Sequence, residues 1–286
     1  SGAGIRTLLV NGRISPRSFR RYLRIRPFVA PVLSRMQAFS MISQADALRI
    51  RKMGADPGRI RVHGNAKYDG LAEQTSDAAC REMSRLLGLS SADPVLVAGS
   101  VRGGESAQVL DAFCRIRSTL PGAVLIVAPR HLKNTGQIAA LASERGFSVQ
   151  RRSALNPPEA KRTASVVVLD TIGELMAVYG TASVVFCGGS LVPLGGQNLL
   201  EPAAWAKPVL YGPSTEDFAD ARALLEKKGG GETVADRQQL AERAAFYLSD
   251  PEAAATTGRK AFEAVASQSG AGRRHAEEIV ALLGSV

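Results

Sequence analysis

From Asn65 to the carboxyl end the chain alternates short apolar runs with amphipathic stretches, a pattern that dictates a parallel sheet flanked by helices. The spacing predicts strands over 94–99, 123–128, 147–150, 166–169, 183–187 and 208–211. It predicts helices over 106–118, 135–145, 217–227, 236–248, 251–266 and 272–283. A further helix is expected to open at Thr171, because Thr171 and Glu174 have capping-box spacing. This is an α/β chain with a doubly wound, Rossmann-like sheet. In such sheets ligands lie beyond the carboxyl ends of the strands, so the loops after these runs are where function is sought.

Residues 1–64 read differently. One strand is expected near 7–10, then a basic segment, an apolar stretch over 36–43, a helix over 44–53 and a strand over 60–63, too little to close an open sheet alone. The boundary is expected between Gly64 and Gly70. This gives a first domain of 1–64, only partly present, and a complete second domain of 65–286 that includes the terminal helices. The chain opens Ser1-Gly2-Ala3-Gly4 without a starting Met and without a signal-peptide pattern, as if entered partway.

The 286 residues are 45% hydrophobic and 22% charged, the balance of a globular chain, and no run approaches the ~18 apolar residues of a membrane helix. Cys80, Cys114 and Cys187 are odd in number and lack CxxC spacing, which argues against a disulfide framework or zinc site and favours a reducing compartment. The net charge of +10 is local: residues 1–67 hold 14 Arg or Lys against only Asp46 and Asp56. The densest part, from Arg17 to Val29, alternates Arg with aromatic and aliphatic residues. Such a segment attracts phosphates or an anionic membrane, and its preference for Arg over Lys favours bidentate phosphate contact. A solvated helix face is the plainer alternative.

Three loops carry chemistry. Gly188-Gly189, followed by Gly195-Gly196-Gln197-Asn198 and Glu201, lets backbone approach a ligand and aim amides at an anion, while Glu201 can accept from vicinal hydroxyls of a ribose. The alternative is an ordinary glycine turn with a glutamate favouring the helix dipole. Arg130 and His131 follow the second strand, suited to phosphate contact and proton shuttling, or else an ordinary surface pair. Ser100 to Glu105 supplies a hydroxyl, a cation and flexible backbone before a helix. The chain has no GxxxxGK[ST], GxGxxG, HExxH or GxSxG, which removes the usual NTPase, dinucleotide, zinc-peptidase and α/β-hydrolase readings. His63 and His275 lie far from these loops in sequence and are taken as structural.

Taken together, the residues resemble the 3-deoxy-D-manno-octulosonic acid (Kdo) transferases, lipopolysaccharide-core glycosyltransferases of the two-domain GT-B fold. Asn11 to Ser15 with Ser18-Phe19-Arg20, Gly64 to Asp69, Asp170 to Leu175, and Gly188 to Pro202 are similar to that family's blocks, in order, across essentially the whole chain. The resemblance implies transfer of Kdo from CMP-Kdo to the lipid A precursor, lipid IVA, with inversion, at the cytoplasmic face of the inner membrane. It implies that Arg130 and His131 hold the CMP phosphate, and that Ser100, Thr171, Gly173, Glu174, Gly188, Gly189, Gly195 and Gly196 line the donor pocket. Asn198 and Glu201 would fix phosphate and ribose. Arg13, Arg17, Arg20 and Arg21 would meet the acceptor's phosphates or the anionic membrane, with no nucleic acid as partner. The sequence departs from the family at Arg102 and Gln197, where His is common. The family's general base is expected upstream of these residues, so this chain by itself is expected to bind nucleotide but transfer poorly, as a peripheral protein without its anchor. No cofactor and no metal are expected, since carboxylates are not paired near the loops. Two alternatives remain open: a UDP-sugar transferase or epimerase sharing the glycine loop and helix carboxylate, and a basic module for membranes or nucleic acids.

Overall fold

A computed structural model describes residues 5–157 and 160–284, so the opening Ser1 to Gly4 lies outside the described residues. The chain forms two compact units, residues 1–70 with 267–286, and residues 71–266.

The first unit begins with β1 (Leu8–Gly12), α1 (Pro16–Arg24), α2 (Arg26–Leu33), β2 (Ala38–Met41), α3 (Gln44–Met53) and β3 (Ile60–Val62). The strands form a parallel sheet in the order β1-β2-β3. Its small core joins Ile14, Leu33, Phe39, Met41, Ile50 and Met53. Buried Asp46 ties it together, accepting from the Ile14 amide at 2.8 Å and from Arg49 at 3.1 Å. By contrast α1 buries no residue and α2 only Leu33.

The second unit contains α4 (Asp77–Leu86), β4 (Val95–Val101), α5 (Glu105–Thr119), β5 (Val124–Pro129), α6 (Thr135–Glu144), β6 (Val149–Arg151), β7 (Val166–Val168), α7 (Leu175–Gly180) and β8 (Val184–Cys187). It continues with α8 (Leu200–Ala204), β9 (Val209–Tyr211), α9 (Ala219–Lys228), β10 (Gly231–Thr233), α10 (Arg237–Ser249) and α11 (Pro251–Ala266). The chain ends in α12 (Ala271–Gly284). All seven strands are parallel, in the order β10-β9-β8-β4-β5-β7-β6. The inner strands β4, β5, β7, β8 and β9 are buried at every residue. Helices on both faces remove the alternation that a one-sided sheet would show, which is why these strands read as unbroken apolar runs. The edge strands β6 and β10 are only partly buried. Among the described residues no helix is long and apolar enough to cross a membrane.

Two expectations change. The last helix does not belong to the second unit: α12 packs on β1 and β2 of the first. The residues that fasten it come from the Gly64 to Asp69 block. Asp69 accepts the Gly270 and Gly272 amides, each at 2.7 Å, and the Asn65 amide donates to Gln268 at 3.2 Å. Thr171 does not cap a helix either. Its hydroxyl donates to the Glu174 carboxylate, and α7 starts at Leu175 with no side-chain cap.

His63 and His275 do prove structural partners. His275 Nε2 lies 2.9 Å from the Gly64 carbonyl, so that nitrogen carries the proton and Nδ1 accepts from the Ser40 hydroxyl at 2.5 Å. Ser40 Oγ, its own proton spent, accepts from His63 Nδ1 at 2.6 Å. This chain of bonds pins α12 to β2.

Candidate functional site

Connections run from β4 outward to β5 on one side and return through β8 on the other, so the sheet reverses its winding between β4 and β8. The carboxyl ends of these two strands therefore flank the crevice where doubly wound sheets bind ligands. The loop after β4 holds Arg102 to Gly104, with Ser100 just inside the strand end, and the loop after β8 holds Gly188 to Leu199.

Close approach explains the first glycine pair. A Cβ at Gly188 would lie 2.6 Å from the Val101 Cα, and Gly189 has φ +69°. Gly195 and Gly196 have φ +81° and +78°, conformations a side chain rarely adopts. The amides, however, are not aimed at a ligand. Gly188 donates to the Gly99 carbonyl at 2.8 Å, and Gly196 to the Gly189 carbonyl at 2.8 Å. Gly195 donates to the Ser214 hydroxyl at 2.9 Å. Gly189 donates to the Glu105 carboxylate at 2.6 Å, joined there by Ser190 at 3.0 Å and Leu191 at 2.9 Å. The expectation of a glycine phosphate cradle is thus corrected. All four glycine amides are satisfied inside the protein, three successive loop amides by a carboxylate that is fully buried. Burial pushes the Glu105 carboxyl up from the ordinary glutamate range, and the surrounding amides oppose that shift.

The expected cations are differently placed. Arg130 and His131 follow β5, both exposed, and their side chains bond to no described residue. Their position is fixed by the backbone, since the Arg130 amide donates to the Val101 carbonyl at 2.9 Å. Arg102 is half-buried, its aliphatic stem against Gly189. Ser100, near the end of β4, is 9% exposed and held at φ +55°. Backbone held in that region by a non-glycine residue is a mark of functional loops. The helix α5 starts beside these groups with no side-chain cap, and its first amide, that of Glu105, donates to the Arg102 carbonyl at 3.4 Å.

Asn198 and Glu201 come together as expected. Asn198 Nδ2 donates to Glu201 Oε1 at 3.0 Å, while its Oδ1 accepts the Leu200 amide at 3.2 Å. The amide thereby orients the carboxylate in the first turn of α8. Beneath it, burial pushes the Cys187 thiol and the Tyr179 phenol well up, so both stay protonated beside Glu201.

The loop after β7 brings Thr171, Gly173 and Glu174 to the same edge of the sheet. Gly173, at φ +84°, has open space around it, and Ile172 is 85% exposed. Glu174 is turned inward: Arg152, 3% exposed, donates to its carboxylate at 2.9 Å. Its place is to hold the loop. Glu105 and Arg152 were both missed as site-shaping residues in the sequence. The available signal was a charged residue at the start of a helix or the end of a strand.

In the first unit Arg13, Arg17, Arg20 and Arg21 are exposed on or just before α1. Tyr22 and Ile25 are also exposed, as is Phe28 on α2 at 78%.

Residues 1–70 match the family model described as 3-deoxy-D-manno-octulosonic-acid transferase (kdotransferase). The 3-deoxy-D-manno-octulosonic acid transferase of Haemophilus influenzae is 29% identical over 93% of this chain and 62% of its own length. That of Aquifex aeolicus is 33% identical over 73% of this chain and 53% of its own. A bifunctional glycosyltransferase/methyltransferase of Fusobacterium nucleatum is 34% identical over 79% of this chain and 34% of its own. The chain therefore spans between about a third and two thirds of these relatives. Among solved structures, the C-terminal CMP-Kdo binding domain of WaaA from Acinetobacter baumannii is 25% identical, with a TM-score of 0.60 over 66% of this chain and 99% of that domain. Anabaena HepE in complex with UDP shares the GT-B fold at 17% identity, with a TM-score of 0.64 over 98% of this chain and 72% of its own.

Proposed function

We propose that this relative of the Kdo transferases, a GT-B glycosyltransferase by fold, binds CMP-Kdo through residues 71–266. The enzyme it represents would transfer Kdo to the lipid A precursor, lipid IVA, with inversion, in lipopolysaccharide biosynthesis. The observation that carries the reading is the pair Arg130 and His131, exposed at the carboxyl edge of the sheet beside the reversal point, with side chains that no described residue bonds. The 25% identity to a CMP-Kdo-binding domain, over 99% of that domain, supports the same donor.

In this reading Arg130 and His131 receive the CMP phosphate, and the Asn198–Glu201 pair receives the ribose hydroxyls. The loop from Thr171 to Glu174 borders the base. The acceptor hydroxyl attacks the anomeric carbon of Kdo as the bond to the CMP phosphate oxygen breaks. The electron pair leaves with CMP, and the hydroxyl proton passes to a base that no residue of this chain is assigned to supply. Arg130 stabilises the charge that develops on the leaving phosphate. CMP-Kdo is itself the activated substrate, so no cofactor enters the scheme.

The first unit is assigned the acceptor and the membrane. Arg13, Arg17, Arg20 and Arg21 suit the phosphates of the lipid A precursor and an anionic inner-membrane surface at its cytoplasmic side, with Phe28 and Tyr22 as apolar contacts. Duplex nucleic acid is not a partner in this reading.

The test separates phosphate from ribose. Arg130→Ala is expected to weaken CMP at least tenfold in calorimetric titration while leaving cytidine within twofold. Glu201→Ala is expected to weaken both. Unchanged CMP affinity in R130A overturns the phosphate assignment.

A further inference from the structure

The buried carboxylate of Glu105 has no place in the reaction as described, yet it joins two of the three loops at the crevice. It is fully buried at the first position of α5, and its two oxygens take four backbone amides: Gly189 at 2.6 Å, Leu191 at 2.9 Å, Ser190 at 3.0 Å and Arg102 at 3.4 Å. The first three belong to the loop after β8 and the last to the loop after β4. Three consecutive amides that converge on one point form an anion hole. Here that hole is filled by the protein's own carboxylate.

The fastening continues from the same loop. Ser190, also fully buried, donates to the Cys187 carbonyl at 2.5 Å and accepts the Gly212 amide at 2.8 Å, which ties in the loop after β9. Beyond Leu191 the chain returns through Gly196, whose amide reaches the Gly189 carbonyl, and enters Asn198 and Glu201. The geometry of the Asn198–Glu201 pair therefore depends on where Glu105 holds Gly189.

We propose that Glu105 is a positioning residue for the donor site: its carboxylate holds the glycine loop, and through it Asn198 and Glu201, in the conformation that accepts a cytidine nucleotide. The proposal rests on the donor-site reading above. Glu105 does not touch the donor, and the amides of Gly189, Ser190 and Leu191 do not take its phosphate. A carboxylate offers both oxygens to the amides, whereas an isosteric carboxamide turns one –NH2 toward N–H groups that it cannot accept from.

The experiment compares Glu105→Gln with Glu232→Gln. Glu232 anchors Arg243 at 2.6 Å and Tyr247 near the sheet edge, so its loss perturbs the same unit without touching the loop. Both variants are titrated with CMP and with cytidine, well below their unfolding midpoints. E105Q is expected to weaken CMP and cytidine alike, each at least tenfold, while E232Q changes neither by more than twofold. Equal losses in the two variants reduce Glu105 to a general stability role and overturn the proposal. So does unchanged or tighter CMP binding in E105Q, which would mean that the phosphate competes with the carboxylate for the amides. Hydrogen exchange of the ligand-free chain keeps this separate from the donor assignment. E105Q is expected to speed exchange of the Gly189, Ser190 and Leu191 amides while those of β5 stay protected; unchanged exchange overturns the proposal. If wild type binds no cytidine nucleotide, the donor-site reading fails, and the exchange result alone decides whether Glu105 orders the loop.

Discussion

The two units are built from the same parallel strand and helix alternation, and they spend it differently. Residues 71–266 carry 20 Arg or Lys against 21 Asp or Glu, a net of −1, whereas residues 1–70 with 267–286 carry 16 against 5, a net of +11. The near-neutral unit buries both faces of a seven-stranded sheet. The basic unit has three strands and leaves one helix with no buried residue at all. In the proposed reading the closed core of the second unit carries the small anionic donor at its polar strand edge. In the same reading the open basic surface of the first unit, with its interspersed aromatics, is the part proposed to meet a lipid or a membrane.

The largest expected effect contrasts two phenylalanines. Phe113, fully buried in the second core, should cost about 3–5 kcal/mol of stability as F113A. Phe28, 78% exposed in the first unit, should stay within about 0.5 kcal/mol as F28A. Urea unfolding measures both. A large loss at Phe28 would mean that its helix is packed in solution.

Charge sharpens the contrast next. Reversing Arg20 and Arg21 to Glu should reduce partition onto vesicles containing anionic lipid at least about tenfold, since each cation near such a surface contributes about 1 kcal/mol. CMP affinity should be unaffected. An unaltered partition coefficient removes the membrane from the account of the first unit.

Acid should weaken the first unit before the second. Burial holds His63 below the ordinary imidazole range, with His275, Arg274 and Arg61 pushing the same way and Glu278, 4.0 Å away, opposing. The folded state therefore takes up a proton later than the unfolded chain. Stability is full above about pH 6.5 and declines as pH falls from there toward the lower folded value. The Gly272 and Gly270 amides likewise depress Asp69, whose contribution is present above about pH 4 and lost below it. In a pH series of unfolding midpoints, H63Q should flatten the first decline and D69N the second, each a smaller effect than those above. A wild-type midpoint flat from pH 7 to about 5 would contradict the His63 assignment.

Much of the second unit was legible because burial on both faces writes itself as unbroken apolar runs such as Val95 to Ala98 and Val124 to Ala128. The short edge strand β10, Gly231–Thr233, left no such run and was missed, as was α4. Arg130 and His131 directly follow β5 and Glu201 lies in the first turn of α8, positions that the sequence pattern predicts. The role of the first glycine pair was not legible. Glycines announce positive φ and close approach, but the partner of the Gly189 amide lies 84 positions earlier in the chain. Nothing local distinguishes an anion hole that awaits a phosphate from one already filled. The destination of α12 was hidden for the same reason, since the Asp69 bonds that fasten it span about 200 residues.

The central claim is that residues 71–266 form a cytidine-nucleotide donor site, and parallel calorimetric titration of the chain with CMP, UMP, UDP and AMP tests it most directly. The account predicts saturable binding of CMP, at least tenfold tighter than UMP or AMP. A preference for UDP, or binding to none of the four, would contradict it.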